Sequence, residues 1–337
     1  MKKVVTFGEA LLRFSPPNHL RFSQANLYEL HYGGAELNTA ISLSLFDMPV
    51  SFVTRLPHND LSDGVVRQLN KYSVDTSHIV YGGKRLGLYY LESGAVLRGS
   101  KVIYDREHSS MAEIGHGMID WENVFEGAGW FHFTGITPAL SQAAADETLI
   151  AATIAAEKNI PVSIDLNYRS KLWQFGKHPR EIMPALMEKC SYVLGDQNTV
   201  NTYFDIQAEG NSEEAKYADA MKQLKEKFSS LQKIVFSYRG SASASNNTFG
   251  AYLYDGQRIL KSREYEMNNM VDRLGGGDAL MSGIIYGLNK LNNDSDALNF
   301  AVAASVLKSS IPGDTNFVSA DEVTDIMQGN LSGRISR

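Results

Sequence analysis

Short apolar runs alternate along the chain with longer segments of helical periodicity. The strand-like runs occupy residues 4–7, 130–133, 162–165, 192–194 and 234–236. Apolar residues spaced three and four positions apart predict helices over residues 143–158, 181–190 and 213–228. Strands that alternate with helices are typical of a mostly parallel sheet with helices on both faces. The pattern therefore predicts an α/β fold whose ligands bind at the carboxyl ends of the strands.

Two stretches, approximately 11–32 and 85–110, interrupt this alternation. They contain β-favouring residues and turn signals such as Ser93-Gly94 and Gly99-Ser100, and they contain no helix of useful length. We expect them to form a small β-sheet attached to the α/β body. A sheet in this position can act as a lid that excludes water from a reaction site.

Composition restricts the class of protein. Of the 337 residues, 43% are hydrophobic, and the formal net charge of −6 argues against a general nucleic-acid surface. Cys190 is the only cysteine, which excludes an internal disulfide and favours a cytoplasmic location. No apolar run approaches the roughly 18 residues of a membrane-spanning helix, and Phe7-Gly8-Glu9 lacks the dinucleotide-binding fingerprint. We therefore expect small-molecule chemistry without nucleic-acid or membrane partners.

Three glycines, Gly275, Gly276 and Gly277, lead directly into Asp278 and an apolar helical pattern. Glycines before a helix let backbone N–H groups approach an anion such as phosphate, and the helix N-terminus adds partial positive charge. A carboxylate there repels phosphate, unless it takes a proton from the group that attacks the phosphate. The stretch indicates phosphoryl transfer, with an ordinary acidic helix start as the alternative.

A second glycine element, Gly33-Gly34, also precedes an apolar helical run. Paired glycines let a ligand lie against bare backbone, and Asn38, one turn into the helix, can offer its amide to hydroxyl groups. Taken alone, the element is a turn followed by a helix start. Together with the first element it indicates an acceptor pocket that faces a phosphate donor.

Two further segments carry arginines. Asp165, Asn167 and Arg169 follow a buried-looking strand, and strand alternation places Tyr104 and Arg106 on one face. Two arginines from separate segments suggest an anionic substrate, because a guanidinium binds a carboxylate through two hydrogen bonds. The alternatives are a local Asp165–Arg169 salt bridge and a solvated strand around Arg106.

In this order, the elements resemble the ribokinase-like, PfkB-type sugar kinases over nearly the whole chain, and within them the 2-keto-3-deoxygluconate kinase group. The family's late Gly-x-Gly-Asp signature is matched at residues 275–278, with Asp272 as the leading acid, and its early GGAExN element at residues 33–38. Matches more specific to the group are Gly87-Leu88-Tyr89, Tyr104 with Arg106, the run 165–173, and Ile311-Pro312-Gly313-Asp314.

The resemblance implies a ribokinase-like three-layer α/β/α fold with a mostly parallel sheet and a small β-sheet lid, in which residues 1–337 form one domain. It implies ATP-dependent phosphorylation of 2-keto-3-deoxygluconate to 2-keto-3-deoxy-6-phosphogluconate, with ATP and Mg²⁺ as cofactors. It also implies a homodimer that associates through the lid.

The resemblance also assigns roles to individual residues. Asp278 is the general base, and the backbone of Gly275, Gly276 and Gly277 forms the anion hole. The residues expected at the sugar acid are Gly33, Gly34, Asn38, Tyr89, Tyr104, Arg106, Asp165, Asn167, Arg169 and Asp314. The residues expected at the nucleotide are Asp196, Ser237, Arg239, Gly240, Gly275 and Gly277.

The chain departs from the family pattern in two places. The family's Asn-x-x-Glu element, which organises magnesium and its waters, is replaced by Gly195-Asp196-Gln197-Asn198-Thr199, so Asp196 is the remaining candidate for the metal, through water. The nucleotide loop at residues 239–243 lacks the usual second glycine. The alternative hypotheses are a kinase for fructose, 5-keto-2-deoxygluconate or another sugar or keto acid, and a catalytically weak sugar-acid sensor.

Overall fold

Strands and helices alternate along the chain as the hydrophobic pattern predicts. The computed structural model describes residues 2–241, 246–268 and 270–330. The strands are β1 Lys3–Phe7, β2 Leu11–Ser15, β3 Glu29–Gly33, β4 Val50–Val53, β5 Arg55–Leu56, β6 Val80–Tyr81, β7 Gly87–Glu92, β8 Lys101–Asp105, β9 Ala128–Thr134, β10 Val162–Asp165, β11 Tyr192–Gly195, β12 Lys233–Ser241, β13 Asn246–Tyr254, β14 Ile259–Lys261 and β15 Tyr265–Asn268. The helices are α1 Ala35–Leu45, α2 Asp60–Lys71, α3 Trp121–Val124, α4 Gln142–Glu157, α5 Pro179–Met187, α6 Gln197–Phe204, α7 Glu213–Lys227, α8 Gly276–Lys290, α9 Asp294–Lys308 and α10 Ala320–Met327.

A large, mostly parallel sheet forms the centre of the fold. Its strands run in the order β4, β1, β9, β10, β11 and β12, and all these neighbours pair in parallel. Strand β13 then pairs antiparallel with β12, and β14 and β15 both pair antiparallel with β13. All four residues of β4 and of β10 are buried, as expected for a parallel sheet covered on both faces. The predicted α/β fold class is confirmed.

Two hydrophobic clusters lie against opposite faces of this sheet. Val5 and Phe131 belong to one cluster, with side chains from α4 to α7, whereas Val4 and Trp130 belong to the other, with side chains from α1, α2, α8, α9 and α10. Successive residues of a strand point to opposite faces, so strands such as β1 and β9 contribute to both cores. Among the described helices, none combines the length and apolarity that crossing a bilayer requires.

A separate small sheet consists of β3, β2, β7 and β8 in that order. Its strands come from the two stretches that interrupt the alternation, except that β3 continues to Gly33, one residue beyond the expected limit. Strand β2 pairs antiparallel with β3 and parallel with β7, and β7 pairs antiparallel with β8. One face of the small sheet buries Leu11, Tyr89 and Leu91, and this face covers the cavity described next.

Candidate active site

A cavity of about 800 Å³ lies between the small sheet, the carboxyl ends of β10 to β12 and the N-terminus of α8. Every site residue expected from the sequence lines it, except Gly33 and Gly240. Gly33 lies against the carboxyl group of Asp314, whose carbon is 3.3 Å from the position that a Cβ atom on Gly33 would take. Gly240 pairs with Thr248 in the β12–β13 hairpin. Residues 242 and 243 of the expected nucleotide loop lie outside the described residues.

Helix α8 begins at the floor of this cavity. Its N-cap, Gly275, has a φ of 78°, and a Cβ atom there would come within 1.7 Å of the carbonyl oxygen of Asp314. Only glycine fits this left-handed and crowded position. The first N–H groups of α8 have no acceptor within the helix, so the backbone of Gly276 and Gly277 forms a ready anion site.

Asp278 lies in the first turn of α8, and its carboxyl group contacts α1 instead of capping its own helix. Asn38 donates from Nδ2 to Oδ2 of Asp278 at 2.8 Å, and Thr315 donates to the amide oxygen of Asn38 at 3.3 Å. Burial raises the pKa of Asp278 well above its ordinary value, and the nearby carboxyl group of Asp165 adds to the rise. A carboxylate with raised proton affinity at the edge of an anion site suits a general base.

A second carboxyl group, that of Asp165, faces the same helix start. Its Oδ2 lies 3.5 Å from the position of a Cβ atom on Gly277. Asn167 donates its backbone N–H to Oδ1 of Asp165 at 3.2 Å. Burial raises the pKa of Asp165 to about 7, against the charge of Arg169. No ion pair within 4 Å joins Asp165 to Arg169 in the described part of the chain, so the local salt bridge is not formed.

Arg106 is buried and already paired. Its Nε donates to Oε2 of Glu9 at 2.6 Å, and its terminal nitrogen lies 2.5 Å from the same oxygen. Ser109 donates its hydroxyl to the other oxygen of Glu9. The alternative of a solvated strand around Arg106 is therefore wrong. The guanidinium lines the cavity while it is paired with Glu9.

Arg239 stands on the opposite side of the cavity, on β12. Its guanidinium lies over the ring of Phe249, 5.6 Å from the ring centre, and its terminal nitrogen is 3.9 Å from the position of a Cβ atom on Gly276. Burial and the like charge of Arg273 lower the pKa of Arg239. Two neighbouring guanidinium groups beside a helix N-terminus are suited to a polyphosphate.

The sequence of residues 1–320 matches the pfkB family carbohydrate kinase profile. The chain belongs to the PfkB family of carbohydrate kinases. A solved structure of 2-dehydro-3-deoxygluconokinase from Thermotoga maritima is 37% identical to this kinase, with a TM-score of 0.93 over 98% of this chain and 100% of that one.

Curated relatives of this kinase differ in the substrates they are named for. A 2-dehydro-3-deoxygalactonokinase from Haloferax volcanii is 27% identical over 331 residues, which are 98% of each chain. A 5-dehydro-2-deoxygluconokinase from Clostridium botulinum is 26% identical over 310 residues, which are 90% of this chain and 86% of the relative. Similarity at this level establishes the family, so the sugar substrate has to be inferred from the residues of the site.

Asp196, the residue expected to contact the metal, is the N-cap of α6, and its carboxyl group already accepts hydrogen bonds. Its Oδ1 accepts the backbone N–H groups of Asn198 and Thr199, and its Oδ2 accepts the Thr199 hydroxyl at 2.7 Å. The described residues contain no group of three or more His, Cys, Asp or Glu side chains that could hold a metal ion. Mg²⁺ usually keeps several of its waters and binds through one or two carboxylates, so Asp196 is suited to contact it through water.

Sequence reasoning overlooked several charged residues around the cavity. Glu9 follows the first strand, where a single acidic residue carries no sequence signal. Arg13 lies within an apolar strand pattern. Arg13 is buried, and its terminal nitrogen lies 2.7 Å from Oδ2 of Asp272 and 3.4 Å from Oδ2 of Asp314. Tyr89 donates its hydroxyl to the other oxygen of Asp314. A polar residue inside an apolar strand is the signal that marks Arg13.

Proposed function

We propose that this kinase transfers the γ-phosphoryl group of ATP to the terminal hydroxyl of 2-keto-3-deoxygluconate, also called 2-dehydro-3-deoxygluconate. The observation that supports this best is that Asp278 and the start of α8 share one cavity with Arg106 and Arg169. We call the part lined by Tyr104, Arg106 and Arg169 the acceptor half. The guanidinium groups there suit the carboxylate of a sugar acid.

The phosphate half is the part of the cavity lined by Gly276, Arg239 and Arg273. There the terminal hydroxyl oxygen attacks the γ-phosphorus, a new O–P bond forms, and the bond to the ADP oxygen breaks. Asp278 accepts the hydroxyl proton, and backbone N–H groups at the start of α8 stabilise the negative charge on the phosphoryl oxygens. Magnesium at the phosphates would supply charge neutralisation, and Asp196 is the residue that would contact it through water.

The proposed function is tested by a coupled ADP-release assay that compares sugar acids with neutral ketoses. The wild-type kinase is expected to consume 2-keto-3-deoxygluconate and to form the 6-phosphate. Asp278→Asn is expected to lose about two or more orders of magnitude in kcat, because the general base is gone. The exposed Asp325→Asn serves as a control with unchanged activity. Full activity in Asp278→Asn would exclude the proposed base.

A second candidate is a kinase for 5-keto-2-deoxygluconate, favoured by the Clostridium botulinum relative named for that substrate. A third is a catalytically weak sugar-acid sensor, favoured by the absence of the family's glutamate at Asn198 or Thr199. The same substrate comparison separates the two kinases. Calorimetry with the sugar acid, showing binding without any ATP turnover, would favour the sensor.

We further propose that two copies of the kinase associate through the outer face of the small sheet. Leu30 and Ile103 are 44% and 54% exposed on this face, and Phe14 stacks on Tyr90 with ring centres 5.6 Å apart. The sheet also has two edge strands, which favour pairing or covering. Light scattering is expected to give a dimer at micromolar concentration, and Ile103→Lys is expected to shift it towards monomer. A monomeric wild-type mass would contradict the proposal.

A further inference from the structure

The last residue of α9, Lys308, is fully buried, at 0% exposure. Lysine is among the residues least often buried, because its ammonium loses hydration in the interior. Its Nζ donates to the carbonyl oxygen of Ile311 at 3.0 Å. The phosphoryl-transfer steps described above do not use Lys308, so its burial needs a separate explanation.

Lys308 lies directly behind the anion hole. Its Cε is 3.1 Å from the position that a Cβ atom on Gly275 would take. Burial lowers the pKa of Lys308, while the charges of Asp272, Asp314 and Asp278 raise it and that of Arg13 lowers it. These acidic groups favour the charged ammonium at this position.

The groups behind the anion hole form a charge-balanced set. Arg13 and Lys308 are the cations, and Asp272 and Asp314 are the carboxylates. Asp272 also orders the backbone on both sides of the hole, because Leu274 donates its N–H to Oδ1 at 3.1 Å and Gly313 donates its N–H to Oδ2 at 3.1 Å. Removal of one cation would leave one buried carboxylate without compensation.

We propose that Lys308 is a positioning residue for phosphoryl transfer, whose ammonium balances the carboxyl groups of Asp272 and Asp314 and thereby holds the anion-hole backbone in its phosphate-binding position. The inference rests on the proposed kinase function. It assigns the fixed positive charge behind the anion hole to the ammonium of Lys308. The charge acts through the carboxylates and the backbone they order, and it also favours negative charge on the phosphates.

The test is Lys308→Met, which keeps most of the side-chain length and removes the charge. We expect kcat to fall about tenfold to a hundredfold and binding of ATP to weaken about tenfold, while binding of adenosine, which lacks phosphates, stays unchanged. We also expect the acid limb of the pH profile for sugar-acid KM to move to higher pH, because Asp314 then protonates more readily. The exposed Lys290→Met is the matched control.

Wild-type kinetic constants and pH profile in Lys308→Met would overturn the inference. If that variant does not fold, Lys308→Ala is assayed with ethylammonium chloride, and with tetramethylammonium chloride as the ionic-strength control. Recovery of both melting temperature and kcat with ethylammonium alone supports the inference, whereas recovery of neither, or of stability without activity, rejects it. A wild-type kinase without activity on any sugar acid would instead reject the proposed function.

Discussion

The acceptor half and the phosphate half of the cavity hold their arginines in different ways. In the acceptor half, Arg106 is buried against Glu9 before any substrate arrives. In the phosphate half, Arg239 has no carboxylate within 4 Å among the described residues, and it faces the like charge of Arg273. A guanidinium that is already paired mainly orients a ligand, whereas one that lacks an acid contributes more of its charge to binding.

The same difference exists within the acceptor half. Arg169 is exposed to the cavity, and no ion pair of its side chain occurs in the part of the chain that the structure describes. Arg106 has its charge largely neutralised by Glu9. We therefore infer that selection for an anionic sugar depends on Arg169, and that Arg106 supplies directed hydrogen-bond donors within a rigid wall.

The largest effect expected from this comparison follows the loss of Arg239. Arg239→Ala is expected to lower kcat/KM for ATP about tenfold to a hundredfold, because charge-assisted hydrogen bonds each contribute roughly 1.5–3 kcal/mol. Arg239→Lys keeps the charge and should retain part of the activity. The exposed Arg258→Ala is the control. Equal kinetic constants in Arg239→Ala and the wild type would show that the phosphate half works through backbone groups alone.

A smaller and more selective effect is expected for Arg169. Arg169→Ala should raise KM for 2-keto-3-deoxygluconate about tenfold or more, since a charge-assisted contact to the carboxylate is lost. The same variant should leave KM for a neutral ketose, and KM for ATP, nearly unchanged. Steady-state kinetics with both sugars measure the ratio. A parallel rise in KM for the neutral sugar would assign Arg169 to the cavity shape and not to charge selection.

The fold and part of the cavity lining could be predicted from the sequence because both depend on local patterns. The strands β1, β9, β10, β11 and β12 follow from short apolar runs, and α8 follows from the glycines that precede an apolar helical period. Residues that follow parallel strands meet at one edge of the sheet, so Asn167 and Arg169 could be expected at the cavity, whereas Arg239 is expected at the nucleotide only from the family resemblance.

The ion pairs behind the cavity could not be predicted in this way. Glu9 and Arg106 are 97 positions apart, and Arg13 and Asp314 are 301 positions apart. No periodicity of a helix or strand connects residues at such separations. The residue type also does not show whether a charged side chain is buried or exposed to solvent. The sequence therefore indicates Arg106 as a ligand for an anionic substrate, whereas its pairing with Glu9 is visible only after folding.

The smallest expected effect concerns the two carboxyl groups at the start of α8. Asp278 must be ionised to accept a proton, so the rate should fall as the pH drops through its raised pKa. The charge of Asp165, whose own pKa is about 7, raises the pKa of Asp278. Asp165→Asn removes that charge, so the acid limb of the kcat profile should move to lower pH by roughly one unit or less.

Asp325→Asn should leave the limb in place. A limb that stays fixed or moves to higher pH in Asp165→Asn would contradict the prediction, because the group that sets the limb would then not be a carboxyl group whose pKa the charge of Asp165 raises.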